Sequence, residues 1–178
     1  MKTLFLVGYM GCGKSTFARR IARRLGVEWA DTDRLVEQAE GATVCDIFRY
    51  EGEARFREVE RAALDRLIDE GRIGVVATGG GLPAWRDNME RMNGAGLTVY
   101  LRRPAEEIAR RMSPYGRQRR PRLRGLSDAE LVDFMRRDMA AREGFYARAR
   151  LHVDCALLSD AEAEEAILRG WEAALRRD

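Results

Sequence analysis

A glycine-rich segment near the start of the chain has the residue types and spacing of a phosphate-binding loop. Residues 8–16 read Gly-Tyr-Met-Gly-Cys-Gly-Lys-Ser-Thr, which fits the pattern G-x-x-x-x-G-K-[ST]. Glycines let the backbone curl so that its N–H groups point at phosphate oxygens, and a helix that follows adds partial positive charge. In such a loop Lys14 reaches the phosphates and the Ser15 hydroxyl binds Mg²⁺. A glycine-rich turn with a solvated lysine is the alternative, and the flanking strand and helix patterns disfavour it.

Two carboxylates follow the next strand-like segment. Asp31-Thr32-Asp33 comes directly after the strand-like residues 27–30, and side chains two positions apart on an extended strand point the same way. One carboxylate can then hold the water shell of a metal ion while the other accepts a hydrogen bond from a substrate hydroxyl. The alternative is a helix cap, for which Asp and Thr are favoured. The triplet alone does not separate the two interpretations.

Two further segments carry groups suited to an anionic substrate. Arg57 lies among acidic neighbours near the start of a predicted helix, where either a substrate carboxylate or a helix neighbour such as Glu60 can pair with it. Gly79, Gly80 and Gly81 follow a buried strand and expose backbone amides where a ligand approaches closely. A flexible turn explains the three glycines equally well.

Residues 112–125 break helical periodicity and are rich in arginine and proline, which predicts a surface loop. The arginines in and just before it suit either a lid that closes on phosphates or an arm that binds nucleic acid: Arg110, Arg111, Arg117, Arg119, Arg120, Arg122 and Arg124. The lid is favoured because Tyr115 is the one aromatic residue nearby on which a base could stack.

The elements that must position these groups alternate along the chain. Apolar runs predict strands at residues 2–7, 27–30, 73–77, 97–101 and 151–153. Periodicity and capping signals predict helices at about 14–25 and 54–71, from Pro104, from 128 after the Ser127/Glu130 capping box, and at 161–175. This alternation predicts an α/β fold with a parallel sheet covered on both faces. Ligands then bind at the carboxyl ends of the strands.

The composition limits the class of protein. The 178 residues suit one domain, predicted to span residues 1–178 with the lid at about 112–125. Apolar and charged residues make up 46% and 34%, too much of both for a disordered chain, and no apolar run approaches the roughly 20 residues of a membrane helix. His152 is the only histidine, which excludes histidine triads. Three scattered cysteines, Cys12, Cys45 and Cys155, favour a reducing cytoplasm over a disulfide framework.

Taken in order, these motifs resemble those of the shikimate kinases. The match includes the phosphate loop, Asp31-Thr32-Asp33, the segment from Ile47-Phe48 through Gly52-Glu53 and Phe56-Arg57 to Glu60, the Ala77–Gly81 turn, Leu97–Leu101, Arg120-Pro121 and Arg142 to Tyr146. The resemblance implies a P-loop NTPase-type fold like that of nucleoside-monophosphate kinases, with five parallel strands and a mobile lid. It also implies transfer of the ATP γ-phosphoryl group to the 3-hydroxyl of shikimate, which yields shikimate 3-phosphate and ADP in chorismate and aromatic amino acid biosynthesis.

The resemblance further implies roles for individual residues. The residues expected to act in catalysis are Lys14, Asp33 and Arg120. Those expected to bind ATP are Gly11, Cys12, Gly13, Lys14, Ser15, Thr16 and Arg120, with Cys12 a variable position rather than a reactive thiol. Those expected to bind shikimate are Asp33, Arg57, Gly79, Gly80, Gly81 and Arg142. Ser15 and Asp31 are expected to serve Mg²⁺.

Two positions depart from the pattern of the family. Arg122 intervenes between Pro121 and Leu123 where leucine usually follows, and Gly144 stands where proline is common. Neither change removes an expected catalytic group.

Two other functions fit parts of this pattern. A gluconate-type kinase would use a similar scaffold. A basic nucleic-acid-binding module with a vestigial loop is disfavoured because Lys14, Ser15, Asp31 and Asp33 are present together. The expected partners are ATP and shikimate, without nucleic acid or membrane, and the chain is expected to be a cytoplasmic monomer.

Overall fold

The sheet places β1 at its centre. A computed structural model describes residues 2–118 and 120–176. Its five strands are all parallel, in the order β2-β3-β1-β4-β5, with the bounds β1 Thr3–Val7, β2 Trp29–Asp31, β3 Val75–Ala77, β4 Gly96–Arg102 and β5 Leu151–Asp154. Because β1 pairs with β3 on one side and β4 on the other, a crevice forms beyond its carboxyl end, where such sheets bind ligands.

Helices follow the strands along the chain. Their bounds are α1 Lys14–Leu25, α2 Thr32–Glu40, α3 Val44–Tyr50, α4 Gly52–Glu70, α5 Asn88–Ala95, α6 Ala105–Arg111, α7 Pro114–Gln118, α8 Asp128–Tyr146 and α9 Asp160–Leu175. Short 3-10 turns occupy Leu82–Ala84 and Pro121–Leu123. The capping box predicted at Ser127 is present, and a second one at Ser159 starts α9.

Both faces of the sheet are covered, as the continuous apolar strands predict. Every residue of β1 is buried. Helix α1 packs on β1, β3 and α9, and α9 packs on β4 and β5, while α5 packs on β4 and α4. No helix within the described ranges is both long enough and apolar enough to cross a membrane.

A second, smaller core lies under the acidic and basic groups of α4. Val36 of α2, Ile47 of α3, and Phe56 and Val59 of α4 pack together there. Because α4 is fixed by this cluster, the residue that follows Phe56 in sequence, Arg57, is held against the carboxyl end of the sheet. The small core therefore serves to position the site.

The structure corrects several predicted boundaries. Pro104 is the N-cap of α6 and not part of its first turn, because its backbone is extended, with ψ 153°. Residues 112–118 and 120–125 are not a continuous loop but contain α7 and a 3-10 turn, and the predicted lid residue Arg119 lies outside the described residues. Helices α2, α3 and α5 were not predicted, since each is under ten residues and is stabilised by packing rather than by a long periodic pattern.

Candidate active site

A cavity of 610 Å³ opens beyond the carboxyl ends of the central strands. It is lined by glycines of two loops, by five cations and four carboxylates, and by a few apolar side chains: Met10, Gly11, Gly13, Lys14, Ser15, Thr16, Asp31, Asp33, Val44, Cys45, Phe48, Glu53, Phe56, Arg57, Glu60, Thr78, Gly79, Gly80, Gly81, Arg120, Arg122, Leu123 and Arg142. Every predicted site residue except Cys12 is in this set. Cys12 is only 1% exposed and packs into the main hydrophobic core.

The phosphate loop takes its shape from three glycines with left-handed backbone. The φ angles of Gly8, Gly11 and Gly13 are 141°, 78° and 112°, a region that other residues rarely enter. A Cβ on Gly8 would also lie 2.8 Å from the carbonyl oxygen of Leu101. Gly13 is the N-cap of α1, so the loop leads straight into a helix N-terminus that favours anions.

Lys14 is buried inside this loop. Its Nζ donates to the carbonyl oxygens of Gly8 and Tyr9, both at 2.8 Å. It forms no ion pair with any described carboxylate, so its charge is held by neutral dipoles at the edge of the cavity. An ammonium in that position is ready to neutralise an anion.

Ser15 and Asp31 are in direct contact. The Ser15 hydroxyl donates to Asp31 Oδ2 at 2.6 Å, which joins the start of α1 to the end of β2. These are hard oxygen donors of the kind that a small divalent cation prefers. Within residues 2–118 and 120–176 no cluster of three or more acidic, cysteine or histidine side chains could hold a metal alone. A cation here would therefore also need oxygens from a ligand or from water.

The predicted geometry of the Asp-x-Asp triplet is wrong. Strand β2 ends at Asp31, and Asp33 already belongs to the first turn of α2. The helix-cap alternative holds, because Asp31 Oδ1 accepts from the Asp33 backbone N–H at 3.1 Å. Both carboxylates nevertheless line the cavity, since the turn from strand to helix redirects Asp33.

Asp33 is a half-buried carboxylate with charges of both signs nearby. Burial raises its pKa, the nearby charge of Asp31 raises it further, and the cations Lys14 and Arg57 act against both. A carboxylate in this position is a better proton acceptor than an exposed one.

Arg57 is held on two sides by acids of its own helix. Its Nη1 donates to Glu60 Oε2 at 2.6 Å and its Nη2 to Glu53 Oε1 at 3.2 Å. The guanidinium also lies over the Phe56 ring, 5.1 Å from its centroid, and over the Phe48 ring at 5.8 Å. The helix pairs expected as the alternative to substrate binding are thus formed, and they leave Arg57 fixed at the wall of the cavity.

Glu60 belongs to this site, although it was not among the predicted site residues. It is fully buried, and its Oε1 has no hydrogen-bond partner among the described residues. Burial raises its pKa to about 7; Arg57 acts against that shift and Asp33 adds to it. The i,i+3 spacing of Glu60 from Arg57 indicates in the sequence that the two can pair. The sequence does not show that the pair is buried.

The three-glycine turn is required by packing rather than by unusual dihedral angles. A Cβ on Gly79 would overlap Glu60 Oε1, and one on Gly81 would overlap Arg57 Nη2. The Gly79 amide donates to Thr32 Oγ1 at 2.7 Å. The amides of Gly80 and Gly81 donate to no other group in the described part of the chain. Those two N–H groups are available to a ligand.

Arg142, the second arginine predicted to bind shikimate, approaches this turn from another helix. Arg142 of α8 has a side chain only 15% exposed, and its Nη2 donates to Asp138 Oδ1 at 3.1 Å. Its Nη1 lies 3.8 Å from where a Cβ on Gly80 would be. Arg57 and Arg142 therefore flank the glycine turn. Arg120 reaches the cavity from the lid, where its Nη1 donates to the Gly116 carbonyl at 2.5 Å.

Comparisons with known proteins agree on one family. The family model described as shikimate kinase matches residues 10–170. The shikimate kinase of Parabacteroides distasonis is 40% identical over 154 residues, which are 86% of this chain and 88% of that protein.

Solved structures point the same way. The crystal structure of shikimate kinase from Bacteroides thetaiotaomicron has a TM-score of 0.84 and 37% identity, covering 97% of each chain. Shikimate kinase from Acinetobacter baumannii, solved in complex with shikimate, has a TM-score of 0.83 and 30% identity, covering 100% of this chain and 95% of that one.

A gluconokinase from Sinorhizobium meliloti has a TM-score of 0.54 and 20% identity, covering 99% of this chain and 97% of that one, and shares the fold alone. The predicted five-stranded P-loop fold is thus confirmed, and the chain is an ATP-dependent kinase that belongs to the shikimate kinase family.

Proposed function

We propose that this kinase transfers the γ-phosphoryl group of Mg²⁺-ATP to the 3-hydroxyl of shikimate, and that it does so as a cytoplasmic monomer. One observation carries the proposal: a single cavity joins a phosphate loop to two arginines that flank a glycine turn, with Asp33 between the two halves. An acceptor that carries both a carboxylate and a hydroxyl suits the second half, because the arginines can bind the carboxylate and Asp33 can accept from the hydroxyl. Buried free thiols at Cys12 and Cys155 support a reducing compartment.

The nucleotide half neutralises phosphate charge. The loop amides and the α1 N-terminus would receive the phosphates, with Lys14 exchanging its carbonyl partners for phosphate oxygens. Ser15 and Asp31 would hold Mg²⁺, which supplies charge neutralisation at the phosphates when bound. The 2.6 Å contact between Ser15 and Asp31 supports this pairing.

The acid half orients the acceptor. Arg57 and Arg142 would grip the carboxylate in charge-assisted hydrogen bonds, and the amides of Gly80 and Gly81 would face the substrate. Asp33 would accept the hydrogen bond of the reacting hydroxyl. As the bond from that oxygen to phosphorus forms and the bond from phosphorus to the bridging oxygen of ADP breaks, Asp33 takes the proton. Its raised pKa suits that step.

Position contributes more than covalent help in such a transfer. Arg120 would close on the nucleotide and stabilise the charge on the transferring group. A closed lid would also exclude water, which favours transfer to the acid over hydrolysis of ATP.

A panel assay tests the proposal. ADP release is measured with Mg²⁺-ATP and shikimate, gluconate or nucleoside monophosphates, and we expect turnover with shikimate to exceed that with every other acceptor. Turnover with gluconate but not shikimate would contradict the proposal and favour the gluconate-type alternative. Asp33→Asn should lower kcat with shikimate and change its KM little; an unchanged kcat would remove Asp33 from the reaction.

A further inference from the structure

Asp138 lies just outside the cavity lining and links three parts of the molecule. It is on α8, one turn before Arg142, and its side chain is only 11% exposed. Its Oδ2 accepts from the Tyr9 hydroxyl at 2.8 Å. Its Oδ1 accepts from Arg142 Nη2 at 3.1 Å and lies 3.6 Å from Nη1 of Arg122.

The Tyr9 contact connects Asp138 to the phosphate loop. Tyr9 is 1% exposed and belongs to the loop, and its carbonyl oxygen accepts from Lys14 Nζ. The Arg142 guanidinium lies over the Tyr9 ring, 5.8 Å from its centroid. Tyr9 therefore contacts both the phosphate lysine and the pair formed by Asp138 and Arg142.

Arg122 brings the lid to the same carboxylate. This arginine departs from the usual leucine of the family, and its guanidinium also lies over the Phe134 ring, 5.0 Å from the centroid. Two guanidinium groups thus share Asp138 Oδ1: that of Arg142, which is proposed to bind the substrate carboxylate, and that of Arg122 in the lid.

We infer that Asp138 is a positioning residue of this kinase: it orients Arg142 for the carboxylate of the acceptor and anchors the lid beside it through Arg122. The inference rests on the proposed function. The physical reason is the fork of the guanidinium group. Nη2 of Arg142 donates to Asp138, which leaves Nη1 of Arg142 on the side of Gly80, toward the cavity. Without Asp138 the long Arg142 side chain samples other rotamers before it can bind.

The first test is the variant Asp138→Asn, which removes the charge and keeps the size. We expect KM for shikimate to rise about tenfold, the equivalent of one lost charge-assisted hydrogen bond, while KM for ATP is unchanged. Asp133→Asn on the same helix is the matched control, because Asp133 is 60% exposed and pairs with Arg136 alone among the described residues. It should leave both KM values as in the wild type.

A double-variant cycle separates positioning from mere stability. If Asp138 acts through Arg142, Asp138→Asn should add no further rise in KM for shikimate in an Arg142→Ala background. A purely structural role would instead raise KM by the same factor in both backgrounds. Asp138→Glu restores the charge and should recover part of the lost affinity.

The variant Arg122→Leu tests whether the contact between Arg122 and Asp138 anchors the lid. Because an exposed ion pair is weak, we expect KM for shikimate to rise about threefold, and not to rise further when Asp138 is already Asn. Arg124→Leu changes a lid arginine that bonds to the Gln118 carbonyl instead and should not alter KM for shikimate.

The outcomes are distinct. A wild-type enzyme that phosphorylates no hydroxy acid overturns the proposed function and this inference with it. A wild type active on shikimate, with Asp138→Asn showing the same KM or showing equal effects with and without Arg142, overturns the inference alone. Melting temperatures of all variants are compared, so that a loss caused by unfolding appears as a fall in both activity and stability.

Discussion

The phosphate loop and the proposed acid clamp, which consists of Arg57, Arg142 and the turn 79–81, line one cavity. They are assembled over very different spans of the chain. The loop is one continuous segment in which Lys14 donates to the carbonyl oxygens of Gly8 and Tyr9, while the Ser15 hydroxyl reaches another element, at Asp31. The clamp combines Arg57 of α4, Arg142 of α8 and the turn after β3, so that its parts lie up to 85 positions apart. A local motif is specified by backbone conformation, whereas a dispersed one depends on how the cores pack.

The two halves also differ in how charge is stabilised. Lys14 is held by carbonyl dipoles of its own loop. Arg57 and Arg142 are each held by a carboxylate on the same helix, at i,i+3 and i,i+4 spacing. We therefore expect substitutions in the clamp to disturb neighbouring ionisable groups, and substitutions in the loop to act mainly on the nucleotide.

The largest effect is expected from Arg57→Ala. Truncation of one partner of a buried charge pair should weaken shikimate binding by about 2–5 kcal/mol, measured by titration calorimetry. Arg55→Ala on the same helix is the control, because Arg55 is 47% exposed and pairs with Glu40 and Glu51. Unchanged affinity in Arg57→Ala would show that the carboxylate binds elsewhere.

Lys14→Met should affect the other half. Loss of an electrostatic donor to the transferring phosphoryl group is expected to lower kcat by about 10²–10³, with little change in shikimate affinity. Lys2→Met is the matched control, since Lys2 is the only other lysine and donates to the distant Ala174 carbonyl. Equal turnover in Lys14→Met and wild type would refute the assignment of the loop.

Glu60 gives the acid clamp a pH dependence near neutral pH. Its pKa is about 7 in the folded chain against a usual 4.5, so its contribution to stability is complete below about pH 4.5 and is lost as pH rises through 7. In that window the free energy of unfolding should fall by at most about 1.4 kcal/mol per pH unit from this group.

Denaturant titrations of wild type and Glu60→Gln at several pH values would measure this difference. We expect Glu60→Gln to lack this dependence. Glu53→Gln, which also touches Arg57 but is exposed, should retain it. Parallel curves for wild type and Glu60→Gln would show that Glu60 does not take up a proton in this range.

The smallest effect is expected far from both halves. Ser127→Ala removes the capping box at the start of α8 and should lower the free energy of unfolding by about 1 kcal/mol. Arg142 lies at the other end of that helix, so KM for shikimate should not change. Ser159→Ala, which removes the equivalent box of α9, is the comparison. A rise in KM confined to Ser127→Ala would mean that a change at the start of α8 alters the position of Arg142 near its end.

Much of the fold and of the phosphate loop could be predicted from the sequence. The glycine-rich turn between β1 and α1, the alternating strands and helices, and the capping box at Ser127 each depend on neighbours within a few positions, and these structural predictions hold. Where prediction failed, the cause is tertiary. Strand alternation gave the wrong orientation for Asp33, because a helix begins there, and the short helices α2 and α3 exist because their apolar residues meet Phe56 and Val59 in the smaller core.

Residue types and local spacing thus determined the nucleotide half, because a glycine that must adopt positive φ is recognisable from its immediate neighbours. Packing decided how the residues of the acid half come together, although the residues themselves were predicted from sequence motifs. A glycine at position 79 is demanded by the oxygens of Glu60 and Asp33, which come from α4 and α2. The partnership of Asp138 with Tyr9 joins residues 129 positions apart. Such contacts arise only when distant helices are pressed against the same sheet, since burial and proximity are properties of the folded chain.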